Sequence, residues 1–295
     1  GTRREASASR CHDKACELSG LGSIRVARAC APPNSQRRRI MFLKVIACEI
    51  AFREISHLAA RSPNLIDPEF LTQGYHDIPK VGCGEIQKRI EAVPAGRFDA
   101  ILLGYGLCSN ILMGLTTRHT PLVIPRAHDC ITFFLGSKER YQQLFSERPG
   151  TYYYSSGWLE CIQRRGDHGA VWGGASLPAS VGAAVKDTYD KWVKKYGEEE
   201  AKYLMEEMNR WTEGYSHGVL IDFDFLRHLN LPQQVRQICQ ERRWQFQEMN
   251  GDLSLLQRWL DGDWPEKDFL VLKPGEKVVA SFDSQVIAAE SGAGA

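Results

Sequence analysis

The sequence predicts an α/β fold, a mostly parallel sheet of repeated β-α units flanked by helices and interrupted by a helical insertion. Three observations predict it. Short apolar runs bounded by turn residues recur at Met41–Ala47, Phe98–Gly104 and Pro121–Pro125, and helical spacing of apolar residues follows the first of them. Strand-like and helix-like patterns continue to alternate on both sides of two helical stretches at about 178–215. The apolar runs are strand-length, far short of the roughly 18 consecutive apolar residues of a membrane helix, so a soluble chain is expected.

Residues 1–40 hold nine Lys/Arg against three Asp/Glu and have no sustained hydrophobic period. They read as a poorly structured basic extension before a natural start at Met41, with a transit peptide as the alternative. The remainder carries 28 basic against 33 acidic residues, a mildly acidic balance that argues against a broad nucleic-acid surface. Nine cysteines is an odd number, and no secretory apolar segment precedes them. A reducing, cytoplasmic setting with free or metal-bound thiols is therefore expected rather than a disulfide framework.

A single α/β domain is expected over 41–285. Met41–Ala47 is a buried strand, and Phe52, Ile55, Leu58 and Ala59 give helical spacing up to Ser62-Pro63. An extended piece around Phe70–Tyr75 precedes a helix with Ile86, Ile90 and Val93 on one face. Phe98–Gly104 is the clearest strand, and Tyr105–Asn110 reads as a glycine-bearing turn into a helix. Pro121–Pro125 is the next strand, followed by one helix from Ile131 through Phe145; Thr151–Ser155 is another short strand. After the glycine-rich Gly166–Ser176, helices are predicted near 180–196 and 198–213. Gly218–Phe223 returns to strand, and a helix near 225–242, the strand Trp244–Met249, a helix at 254–260 and the extended Phe269–Val279 complete the pattern. Residues 286–295 read as a frayed tail.

Cys48, Cys108 and Cys130 each follow an apolar strand at the point where the chain turns. In a parallel α/β sheet the carboxyl ends of the strands share one edge, where ligands bind, so these three thiols are expected to form one site. Three thiolates suit a soft or borderline metal: an iron–sulfur cluster with one open iron, [4Fe–4S] being favoured, or zinc with His76 or His128 as fourth ligand. Buried free cysteine as mere core filling is the plainer reading. Another alternative makes Cys108 the nucleophile of a hydrolase or transferase, activated at a helix N-terminus with His128 as base. In a third, Gly104, Gly106 and Ser109 form a turn that receives a phosphate or carboxylate, with Arg126 as its bidentate partner; the third glycine and the lysine of nucleotide loops are missing. Arg126, His128 and Tyr154 are the candidate catalytic residues, for substrate anions, protons and the pocket edge, and Trp158 is expected in the pocket wall. Cys83 ranks below the strand-end cysteines as a fourth thiolate.

The runs LGYGLCSN, IPRAHDCITFFLGSKERY, PGTYYYSSGW and GDLSLLQRWLDGDW resemble the prokaryotic domain-of-unknown-function family 1638, and the resemblance spans Met41 to about Phe282. It implies cysteines at the positions of Cys48, Cys108 and Cys130. It also implies a place in the metabolism of anaerobes and methanogens, near corrinoid-dependent methyl transfer. A small-molecule substrate is expected, with a corrinoid protein as possible partner; a non-catalytic accessory to such a protein, binding through the insertion, is the remaining alternative.

Overall fold

A computed structural model describes residues 39–76, 79–108, 110–165, 182–210 and 214–291, all but the first of them within the unit Ile40–Ala295. The expected basic extension, the glycine-rich Gly166–Ser176 and the last four residues lie outside the described residues.

Strand β1 (Phe42–Cys48) runs through a 3-10 turn, Glu49–Ala51, into α1 (Phe52–Ala59). β2 (Leu65–Leu71) is followed by the 3-10 turn Gln73–His76 and by α2 (Pro79–Ala92); β3 (Ala100–Gly104) and β4 (Leu122–Pro125) then lead to α3 (Ile131–Leu135) and α4 (Lys138–Glu147). β5 (Thr151–Tyr154) and α5 (Ser156–Arg165) precede the insertion helices α6 (Gly182–Tyr196) and α7 (Glu198–Arg210). β6 (His217–Asp222), α8 (Leu231–Arg242), β7 (Gln245–Asn250), α9 (Ser254–Asp261) and the strands β8 (Phe269–Leu272), β9 (Glu276–Ala280) and β10 (Ile287–Ser291) follow.

The fold is α/β with mostly parallel pairing, divided between two sheets. The first has the order β2-β1-β3-β4-β8, parallel except for the antiparallel edge strand β8. The second, β5-β6-β7, is wholly parallel. β9 and β10 form an antiparallel pair. The period-2 rule explains how the first sheet is covered on both faces. Leu43, Val45, Ala47, Ala100 and Leu102 point to the side of α1 and α9, whereas Ile46, Ile101 and Leu103 join Ile86 and Ile90 of α2 on the other. A third cluster, including Leu220, Val235 and Ile238, packs α8 on the second sheet.

Four sequence expectations are corrected. The helix expected from Ile131 to Phe145 is two helices, because Gly136 takes the left-handed conformation (φ 79°) and Ser137 caps the second, accepting from Arg140 N at 3.1 Å. The helix near 225–242 starts as a 3-10 turn, Asp224–Leu229, and restarts after Asn230 at φ 52°. Among the described residues no helix follows Cys108: this residue itself has φ 32°, and Asn110 to Gly114 are turns. Finally, the tail expected to fray from 286 is ordered as β10 through Ser291, with Ile287 buried.

The two sheets are stitched together where α5 meets α1 and its preceding turn. Arg53 pairs with Glu160 at 2.7 Å, and beside them the fully buried Glu54 accepts a hydrogen bond from Ser156 Oγ at 2.8 Å through Oε1, while Oε2 has no partner. Burial pushes the Glu54 pKa from 4.5 up to about 7, opposed by hydrogen bonding and by Arg53 and reinforced by Glu160. The native state thus holds the proton more tightly than the unfolded chain. Stability from this group is full below pH 4.5, falls as pH rises, and is gone above about 7. Glu54→Gln keeps the acceptor for Ser156 without the buried charge. It is expected to be more stable than wild type by about 1–2 kcal/mol at pH 8, on the scale of 1.36 kcal/mol per pKa unit, and nearly equal at pH 4.5. Denaturant midpoints at both pH values check this; an advantage independent of pH would refute it.

Candidate functional site

A cavity of about 490 Å³ lies where the carboxyl edge of the first sheet faces β5. This is the edge at which open α/β sheets bind ligands. Cys48 is the last residue of β1 and sits where the strand gives way to the 3-10 turn. Gly104 ends β3, and the chain beyond it remains paired with the chain beyond β4: Leu107 N donates to Ala127 O at 2.8 Å and Cys108 N to His128 O at 2.9 Å. Gly106 makes this approach possible, since a Cβ there would lie 2.7 Å from Asp129 Cα. The pairing brings Cys108 alongside Cys130, which stands at the entry to α3. Cys48, Cys108 and Cys130 are all free thiols and all line the cavity.

Electrostatics ties the three together. Burial pushes the Cys108 thiol up to about 12, with the Asp129 charge adding to it. Cys48 and Cys130 are also raised, by burial first and then in part by the neighbouring Cys108. Three desolvated thiols whose pKa values are all raised remain protonated and inert on their own; a cationic centre among them would reverse that, because a coordinating thiol is deprotonated outright. Among the described residues no three His, Cys, Asp or Glu side chains converge closely enough to hold a single metal ion. A cluster spreads its cysteines over several irons and requires no such convergence.

The other expected site residues divide. Gly104, Gly106, Tyr154 and Trp158 line the cavity, as does His76; Ser109 lies outside the described residues. Arg126 does not join them. Its buried guanidinium donates to the carbonyls of Glu266 (2.8 Å), Phe269, Gln285 and Ile287, tying β4 to the C-terminal strands, and is thus committed to the backbone rather than to a substrate anion. His128 is exposed and outside the cavity wall, which removes the expected base from Cys108. With no helix after Cys108 there is also no macrodipole to lower its pKa, so nothing in the geometry activates it as a nucleophile.

Several wall residues carried little or no sequence signal. Asp129 Oδ1 accepts from Ile131 N at 3.0 Å and Oδ2 from Tyr141 OH at 2.8 Å. Among the described residues neither amide atom of Gln73, buried at the wall, has a partner, and nor does the buried Tyr105 hydroxyl. Glu49 holds the backbone of this segment in place by accepting from Gln73 N at 2.8 Å. Trp158 Nε1 donates to Tyr152 OH at 2.8 Å, fixing two rings of the opposite wall. Asp129 had a cue in its place beside Cys130, and Trp158 was expected in the wall; Gln73 and Tyr141 come from segments whose patterns are merely structural.

Among the described residues no helix is long and apolar enough to cross a membrane. No curated protein and no solved structure gives a match to this chain. A family model described as "Protein of unknown function (DUF1638)" matches residues 70–260, from β2 to α9, and so takes in Cys108, Cys130 and most of the cavity wall. The match covers well over half of the chain, which belongs to the DUF1638 family.

Proposed function

We propose that this protein holds an iron–sulfur cluster through Cys48, Cys108 and Cys130 and acts on a small molecule in the adjoining cavity. The observation that carries the reading is the delivery of three free thiols from three neighbouring strand ends into one cavity. The donor set fits the group. Three thiolates leave one iron of a [4Fe–4S] cluster without a protein ligand, and the orphaned polar atoms of Gln73 and Tyr105 stand at the same wall. Zinc is less well supported, because a single ion needs all its ligands within about 2.3 Å and the described side chains do not converge in that way. When bound, such a cluster supplies either electrons or a Lewis-acidic iron.

The chain's own residues supply the rest. The wall rings exclude water, Gly106 keeps the two cysteine loops in contact, and the Tyr141–Asp129 pair presents a fixed acceptor. A corrinoid protein as partner follows from the family resemblance, and is tested separately by whether such a protein is retained on the immobilised holoprotein.

Anaerobically purified protein is expected to contain iron and acid-labile sulfide and to show the broad visible absorption of a cluster. Cys48→Ser, Cys108→Ser and Cys130→Ser should each lower iron content several-fold, while Cys161→Ser and Cys239→Ser, two buried thiols outside the cavity wall, should leave it unchanged. Protein that carries neither iron nor sulfide after anaerobic reconstitution, or that carries stoichiometric zinc instead, would overturn the proposal.

A further inference from the structure

We infer that the cavity selects an organic cation of the alkylated-ammonium class, seated against Asp129 and the tyrosine rings around it. The inference concerns the side of the cavity where Asp129, next to Cys130, meets the tyrosine rings, and it is tested separately from the cluster.

The charge inventory of the wall points this way. Among the described residues lining the cavity there is no lysine and no arginine, so a phosphate or carboxylate ligand finds no fixed counter-charge. Arg126, the nearest candidate in sequence, is committed to backbone carbonyls. The wall does hold a carboxylate. Asp129 is hydrogen-bonded by Tyr141 OH and the Ile131 amide, both neutral donors, and it forms no ion pair with a lysine or arginine among the described residues. Burial raises the Asp129 carboxyl pKa, opposed by its hydrogen bonds and by His128, which is itself exposed and outside the wall. An anion held by neutral dipoles at a partly desolvated wall favours a cationic ligand.

The rings around it favour a particular kind of cation. Tyr141 lies 6.4 Å from Tyr153 in an edge-on arrangement (71°) and 6.4 Å from Phe145, and all three line the cavity with Asp129. Tyr152 and Trp158 are fixed to each other by their own hydrogen bond across the same space. Rings set at steep angles to one another form the sides of a box rather than a stacking slot. A box suits a rounded, poorly hydrated ammonium, whose alkyl groups spread the positive charge over several π-faces. A primary ammonium would need acceptors beyond the single Asp129 carboxylate for its three donors, whereas a fully alkylated one has no donors to satisfy. The volume of about 490 Å³ leaves room for a substituent beyond the cationic head.

The test uses three probes of equal shape: choline, its neutral carbon isostere 3,3-dimethylbutan-1-ol, and the anion 3,3-dimethylbutanoate. Binding to the protein as isolated is followed by calorimetry and by tryptophan fluorescence, since Trp158 lines the cavity. Choline is expected to bind at least ten-fold more tightly than the neutral isostere, with the anion weakest. Asp129→Asn, which preserves the acceptor for Ile131, should reduce the choline preference about ten-fold without changing affinity for the isostere. Tyr153→Leu, a half-buried position whose loss leaves the carboxylate in place, should weaken choline several-fold and keep the order of the probes. Equal binding of choline and its isostere, a preference for the anion, or no detectable choline binding would overturn the inference. Iron content measured on the same samples separates this outcome from that of the cluster.

Discussion

Gly157→Ala should be among the most damaging single-methyl changes in the molecule. A Cβ at this position, the second residue of α5, would lie 1.8 Å from Ile50 O and 2.4 Å from its carbonyl carbon. Both are backbone atoms of the turn that follows Cys48, so no side-chain rotation relieves the clash and the helix must move away as a body. That movement would separate the buried Glu54–Ser156 contact and the Arg53–Glu160 pair, and carry Trp158 out of the cavity wall. The expected loss is about 3 kcal/mol or more, at the upper end for overpacking. For a unit of this size it corresponds to a fall in Tm of about 6–12 °C. Gly84→Ala is the matched control. Gly84 is an exposed position in α2 with nothing within 4 Å of the added carbon, so alanine there should raise stability by about 0.5–1 kcal/mol. Thermal melts of the two variants check the pair, and a Gly157→Ala protein within a degree of wild type would show that the α5–turn contact is looser than described.

The contrast between these glycines also marks how far the sequence could be read. The parallel strands were legible because burial on both faces writes a continuous apolar run, as in Val45–Ala47 and Ala100–Leu103. Their order in the chain then placed Cys48, Cys108 and Cys130 at a common edge, and the structure sets all three in one cavity wall. What the pattern did not carry was tertiary choice. Nothing local distinguishes Gly157, whose hydrogen faces a carbonyl, from Gly84, whose hydrogen faces solvent. Nor does any local cue say that the β-α units divide between two sheets, because pairing β5 with β6 rather than with β4 is decided by contacts over 60 residues apart. The role expected for Arg126 failed for a related reason. A lone arginine after a strand end has the same signature whether it meets a ligand or, as here, the carbonyls of a distant C-terminal strand. The break at Gly136-Ser137, by contrast, was written in the sequence as a left-handed glycine followed by a capping serine, and helical periodicity on both sides masked it.

Trp259→Ala should cost about 3–5 kcal/mol, the range for removing a fully buried large aromatic. Trp259 is the largest completely buried side chain among the described residues, and it belongs to the late run GDLSLLQRWLDGDW. From α9 its ring passes beneath the end of β3, where its edge would lie 3.0 Å from a Cβ on Gly104; glycine at that strand end is what admits the indole. Its Nε1 donates to Val123 O at 3.1 Å, so the same side chain also fixes β4. One residue therefore sets the height of the two strands that deliver Cys108 and Cys130. Trp259→Phe retains most of the packing but leaves the Val123 carbonyl with one donor fewer, and about 1–2 kcal/mol is expected from that loss alone. Comparing the two variants separates volume from hydrogen bonding. Because the strand ends carry the thiols, both variants should lose iron in proportion to their loss of stability, Trp259→Ala more than Trp259→Phe. A Trp259→Ala protein that melts several degrees lower yet retains its full iron content would show that the cysteine loops are held by their mutual backbone bonds, Leu107 to Ala127 and Cys108 to His128, independently of the core beneath them.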